Sequence, residues 1–264
     1  MNELPFIFRN QWLFGLIIAA VLLALAEAGY RIGLRTYASK DEARRSQIGG
    51  VQGAITGLLG LLLGFTFSMA VNRYEARRVM VLKEANAVGT AWLRAGLLPE
   101  PHPEPARELF RRFVETRLKF QQVSEDPVQL AEGLRLSGEI ERELWQHAED
   151  AAKAAPTAPT ATFINALNTM IDTDAERIDA HRNQLPVAVW ALLILVASSG
   201  CLTSAYSSGA QGARSGFTSA LLPLLITVVI IFIYDLLHTH QGVVSVSQRP
   251  LIELLQTMQA RAGK

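Results

Sequence analysis

Four stretches without a charged side chain constrain this sequence more than anything else in it. Arg9 to Glu27 leaves 17 uncharged residues, Arg45 to Arg73 leaves 27, Arg182 to Arg214 leaves 31, and Arg214 to Asp235 leaves 20. A hydrocarbon layer about 30 Å thick is crossed by about 20 apolar residues as helix. The spacing predicts four membrane spans, over roughly 12–31, 50–71, 186–206 and 216–236. Lipid offers no partner to backbone N–H and C=O groups, so each span is a helix. The charges collect between the second and third spans. Residues 72–184 hold 33 of the 49 charged side chains, and the remaining 151 residues hold only 16. The expected fold is an all-α integral membrane protein: four transmembrane helices, with an extramembrane helical bundle inserted between helices two and three. Its parts are a first membrane pair over 1–71, the helical domain over 72–184, a second pair over 185–237 and a tail over 238–264.

The first span has a rival. Ala26-Glu27-Ala28 resembles a signal-peptide cleavage site after a short apolar run. Against it, Arg9 is offset by Glu3, and the cluster Arg31, Arg35, Lys40, Arg44 and Arg45 comes next, as a cytoplasmic stop would. Trp12, Tyr30, Tyr74, Trp190, Tyr206 and Tyr234 fall at span ends, where an interfacial aromatic belt is expected. Four spans put both termini and 72–184 on one side. The basic first loop, and Arg214 in the second, favour short loops in the cytoplasm and 72–184 outside. Arg73, Arg77, Arg78 and Lys83, just past the second span, count the other way.

Residues 72–184 carry apolar spacings of three and four, which predict helices. The second span continues through Tyr74, Val81, Ala85, Val88 and Trp92 to about Ala95, and prolines 99, 101, 103 and 105 then break it. Further helices are expected over about 105–123, 128–154 and 160–183. In the tail, 243–246 is briefly strand-like, and Leu251, Ile252, Leu254, Leu255 and Met258 suggest a short amphipathic helix.

The second span holds the most informative pattern. Gly53, Gly57, Gly60 and Gly64, continued by Ser68, Asn72 and Glu75, fall on one helical face. Small residues let helices pack closely in lipid, within one subunit or between subunits. The same face, in several copies around an axis, would line a channel, with Leu61 and Phe65 as constriction. Arg73, Arg77 and Arg78 form a collar below it, placed to draw anions or to meet lipid phosphates. Two ionisable groups lie at the membrane: Glu27, four residues from Arg31 and able to pair with it, and Asp235. Asp235 with His238 and His240 has the chemistry of metal ligands, but capping and interface roles explain it as well, and no metal is assigned. Asp172, Asp174, Glu176 and Asp179 lack an EF-hand's glycine and read as a solvated face.

Other classes are excluded. A net charge of +1 makes no case for nucleic acid. The single cysteine, Cys201, excludes a disulfide framework. No phosphate-binding loop, dinucleotide fingerprint, zinc-protease helix or nucleophile elbow occurs, so neither an enzyme nor a cofactor is expected.

The run Gly57-Leu58-Leu59-Gly60-Leu61-Leu62-Leu63-Gly64-Phe65-Thr66-Phe67-Ser68, then Asn72-Arg73-Tyr74 and Glu84-Ala85-Asn86-Ala87-Val88-Gly89-Thr90, closely resembles the bacterial bestrophin-like domain family. The resemblance extends to Leu97-Leu98-Pro99 and to Gly242, Val246, Ser247, Pro250 and Leu251. Leu63-Gly64-Phe65 and Val71-Asn72-Arg73-Tyr74 also resemble the second span of true bestrophins, which are pentameric ion channels with cytoplasmic helices. Their neck uses three bulky apolar residues one turn apart. The matching positions are Gly57, Leu61 and Phe65, of which only Phe65 keeps the aromatic type, and Gly57 implies a wider neck. Their acidic calcium clasp has no counterpart, since Glu253 is the one carboxylate side chain beyond Asp235. The resemblance implies a homo-oligomeric channel in a bacterial inner membrane, with lipids and ions as partners. It also implies a cytoplasmic helical region, against the loop charges. A membrane-anchored helical scaffold or signalling protein, with the glycines serving only packing, is the alternative.

Overall fold

The computed structural model describes residues 11–36, 42–121, 127–182, 185–212, 216–237 and 244–262. Among these residues the chain forms eight helices and no strand. They are α1 (Gln11–Thr36), α2 (Glu42–Ala95), α3 (Pro103–Gln121), α4 (Pro127–Ala154), α5 (Ala158–Arg182), α6 (Val187–Ala210), α7 (Gly216–Leu237) and α8 (Arg249–Ala262). Helices α1, α2, α6 and α7 are long and apolar enough to cross a membrane. The expected strand-like segment is corrected: Val243 lies outside the described residues, and 244–248 have no regular structure. A branched Val-Val-Ser-Val run needs a partner strand to pair with, and none is present among the described residues.

Helix α2 has 54 residues. At 1.5 Å per residue that is about 80 Å, more than twice the hydrocarbon thickness of a bilayer. It stops after Ala95, where the Leu97 and Leu98 amides bond back to the Arg94 and Ala95 carbonyls, just ahead of Pro99. Helices α3 and α4 open on Pro103 and Pro127, at the helix position where a missing N–H is harmless.

The chain divides into two compact units, Met1–Arg73 with Gln184–Ser245, and Tyr74–Asn183 with Val246–Lys264. The core of the first is built from Phe14, Ile18 and Leu22 of α1, Leu193, Val196 and Ala197 of α6, and Ile226, Ile230 and Tyr234 of α7. Helices α1 and α6 approach backbone to backbone. A methyl added at Gly29 would collide with the Leu202 carbonyl, at Gly33 with that of Tyr206, and at Gly209 with that of Tyr30. An aromatic cluster holds the other end. Phe14 stacks on Tyr234 at 4.7 Å between centroids and meets Trp190 edge-on at 6.1 Å. The belt expectation is therefore amended: Trp12 is 68% exposed, but Tyr30 and Tyr234 are buried between helices.

The second unit has its own core, with Leu109, Phe110 and Phe113 of α3, Ile140 and Leu144 of α4, and Phe163, Leu167 and Met170 of α5. Phe110 and Phe163 meet edge-on at 6.3 Å. Helix α8 joins this core through Leu251 and Met258.

The α1–α6 contact supplies a first prediction. Gly209→Leu forces two backbones apart and is expected to lower the thermal midpoint of the purified protein, an overpacking loss of about 1–3 kcal/mol. An unchanged midpoint would contradict the close approach.

Candidate functional site

At 100° per residue, positions 53, 57, 60, 64 and 68 lie on one side of α2, and 55, 59, 62 and 66 on the other. The second side is packed. Leu59 is buried, and it and Ile55 approach Gly200 of α6, at 3.4 and 3.8 Å from where a Cβ would stand. Gln52 Nε2 donates to Ser204 Oγ at 3.3 Å. Thr66 is buried, its hydroxyl donating to the Leu62 carbonyl at 2.7 Å. The glycine side is uncovered. A Cβ at Gly53, Gly57, Gly60 or Gly64 would meet nothing within 4 Å. Beside them Leu61 is 54% and Phe65 61% exposed. Ser68 is exposed as well. Only 17% of the most apolar part of α2 is buried, against 28% for α1 and α6 and 50% for α7. Of the four spans, α2 is thus the one that the rest of the chain covers least.

The three arginines below do not share one environment. Arg77 is buried and donates through Nε to the Ala180 carbonyl of α5 at 3.5 Å. Arg78 is exposed and pairs with Glu75 on its own helix at 3.4 Å. Arg73 is half-buried. Glu27 pairs with Arg31 at 2.7 Å, the partner its spacing offers. Asp235 is buried, and its Oδ2 accepts the Val244 amide at 3.0 Å, so this carboxylate ties the end of α7 to the segment after it. His238 and His240 lie outside the described residues.

A charged cluster lies inside the second unit. Glu84 of α2 is fully buried and accepts from Arg117 Nε of α3 at 3.0 Å. Arg117 also pairs with Asp174 of α5, and Arg177 of α5 pairs with Glu84. Arg177 Nη2 donates to Gln248 Oε1 at 3.3 Å. Burial pulls both guanidiniums down to about 10. Burial holds the Glu141 carboxyl of α4 above the ordinary carboxylate value, and the charge of Arg117 offsets part of that. Asp174 corrects the reading of an acidic solvated face: it is buried, whereas Asp172, Glu176 and Asp179 are not. Among the described residues no group of three or more His, Cys, Asp and Glu converges as metal ligands.

A family model described as the bestrophin-like domain matches residues 16–251. The chain belongs to the bestrophin-like domain family. The matched stretch takes in most of the first span, the other three, and the helices between them. The fold is similar to crystal structures of a bacterial bestrophin homolog from Klebsiella pneumoniae, each carrying one substitution. One has a TM-score of 0.65 at 13% identity, covering 94% of this chain and 98% of that one. Another has a TM-score of 0.61 at 13% identity, covering 97% and 100%. No curated protein matches the chain.

The glycine face of this bestrophin-like chain is visible in its sequence, and two other features lie outside that pattern. The glycines that pack within the subunit, Gly29, Gly33 and Gly209, carry a readable signal, small residues at helical spacing. The charged cluster carries none, since Glu84, Arg117 and Arg177 are far apart in sequence.

The cluster generates two predictions. Glu84→Ala leaves two buried guanidiniums short of a carboxylate and is expected to destabilise the domain by about 3–5 kcal/mol, measured by denaturant unfolding. Glu141→Gln acts in the other direction. A carboxyl raised in the folded state opposes folding once pH exceeds its unfolded value, and contributes nothing when folded and unfolded forms are both protonated. The substitution is expected to raise the thermal midpoint at pH 7, with the gain vanishing below the ordinary value of 4.5. A gain independent of pH would show that charge burial at Glu141 is not its cause.

Proposed function

We propose that the protein is a homo-oligomeric ion channel of a bacterial inner membrane, with several copies of α2 around a conducting axis. The observation that carries this reading is the uncovered glycine face of α2 on a chain of the bestrophin-like family. Lipid-facing surfaces of spans are ordinarily rich in bulky apolar groups, whereas glycine at every third or fourth position suits close approach of other helices or of permeating ions. In this reading Gly57, Gly64 and Ser68 face the axis, and Leu61 and Phe65 narrow it. Ions cross by electrodiffusion through an apolar neck, without a chemical step. Of the arginine collar, Arg78 stays exposed to bias ion access, while Arg77 fastens α2 to α5. A pentamer accords with the bestrophin resemblance. Residues 72–184 lie outside the bilayer in this arrangement, because a cluster as charged as Glu84, Arg117, Asp174 and Arg177 would not be assembled within lipid at low cost.

Ion flux through purified protein in liposomes tests the proposal. Phe65→Ala is expected to raise flux and Gly57→Leu to reduce it. Conductance unaltered by both would remove α2 from the pore. Absence of flux from folded, oligomeric protein in anion and cation gradients alike would favour the membrane-anchored scaffold.

A further inference from the structure

Two histidines in the second unit face each other through the same ring atom. His102 sits in the turn before α3 and His147 on α4, with Nδ1 atoms 3.1 Å apart and ring centroids 5.4 Å apart. Neither is loosely held. The His102 amide bonds to the Pro99 carbonyl, and its own carbonyl accepts the Ala106 amide at the start of α3. His147 is half-buried, three residues after Leu144 and next to Ala148, which are both in the core. An ion about 2.1 Å from each of two nitrogens at right angles spans about 3.0 Å between them, and a tetrahedral one about 3.4 Å. The observed separation lies between these values.

We propose that His102 and His147 form a two-nitrogen site for a late first-row transition ion, copper(II), nickel(II) or zinc(II). Neutral imidazole is the ligand form. Burial, and then the nearby His102, hold the His147 ring below its ordinary value, while Asp150 and Glu143 act the other way. In the metal-free pair one ring donates its Nδ1–H to the other. Metal binding moves that proton to Nε2 of the same ring, a change of tautomer with no net proton loss. Water fills the remaining positions, or one carboxylate of α4 turns in. Glu143 and Asp150 flank His147 at four and three residues, and both make long surface pairs, to Arg112 at 4.0 Å and Lys153 at 3.6 Å. The bound ion joins the α2–α3 turn to α4 and is independent of whether the spans conduct.

Calorimetric titration of tag-free, metal-stripped, full-length protein with copper(II), nickel(II) and zinc(II) tests the site, with electron paramagnetic resonance of the copper form. The expected result is saturable binding with hyperfine structure from two imidazole nitrogens. His102→Asn and His147→Asn should each weaken it by more than about a hundredfold, beyond the loss that outer-shell changes bring. His238→Asn with His240→Asn should leave it unchanged, as should excess magnesium. For wild type the affinity should fall at pH 5, where imidazoles are protonated. Circular dichroism and gel filtration establish that each variant is folded. Folded His102→Asn and His147→Asn proteins that bind as tightly as wild type, or a wild-type copper spectrum without two nitrogens, would overturn the proposal.

Discussion

Lipid supplies no hydrogen bonds, and the rest of this structure is arranged around that lack. Each uncharged stretch becomes a helix because no other form satisfies its backbone in hydrocarbon. What remains is how the helices meet one another. Helices α1, α6 and α7 solve this within the subunit, by glycine contacts at Gly29, Gly33 and Gly209 and by the ring cluster of Phe14, Trp190 and Tyr234. Helix α2 solves half of it. One side packs on α6 through Ile55 and Leu59, and the other presents glycine, leucine and phenylalanine to whatever lies beyond the chain.

The same helix works in two surroundings. Over 46–73 it packs on α6 through Ile55 and Leu59 with a polar bond from Gln52 to Ser204, while from Tyr74 to Ala95 it carries Arg77 and Glu84 into a charged interior. A buried charge is tolerable only when paired, and Glu84 is shared by Arg117 and Arg177. These pairs tie α2, α3 and α5 in one arrangement, with Gln248 drawing in the segment before α8. Any movement of the helical domain against itself would have to break them together.

Much of the fold was legible because its causes are local. Gaps between charges located the spans, prolines located the breaks, and spacings of three and four located the domain helices to within a few residues. The strand-like tail failed because a short branched run forms a strand only with a partner. The reading of Asp172, Asp174, Glu176 and Asp179 as one solvated face failed at Asp174, which lies beside Arg117. Partners distant in sequence leave no mark on either segment, so neither that pair nor the facing histidines could be foreseen. The glycine face was visible as a pattern. What lies against it is not encoded by spacing within one chain.

The central claim is that the open face of α2 meets water along a conducting path. Thiol accessibility during flux measures this most directly. Single cysteines at 57, 61, 64, 65 and 68, in a Cys201→Ser background, would be treated with a charged, membrane-impermeant thiol reagent while ion flux is followed in liposomes. Modification and block are expected at positions on this face, and none at 55, 59 or 62. Reaction only with a lipid-soluble reagent, with flux untouched, would contradict the claim.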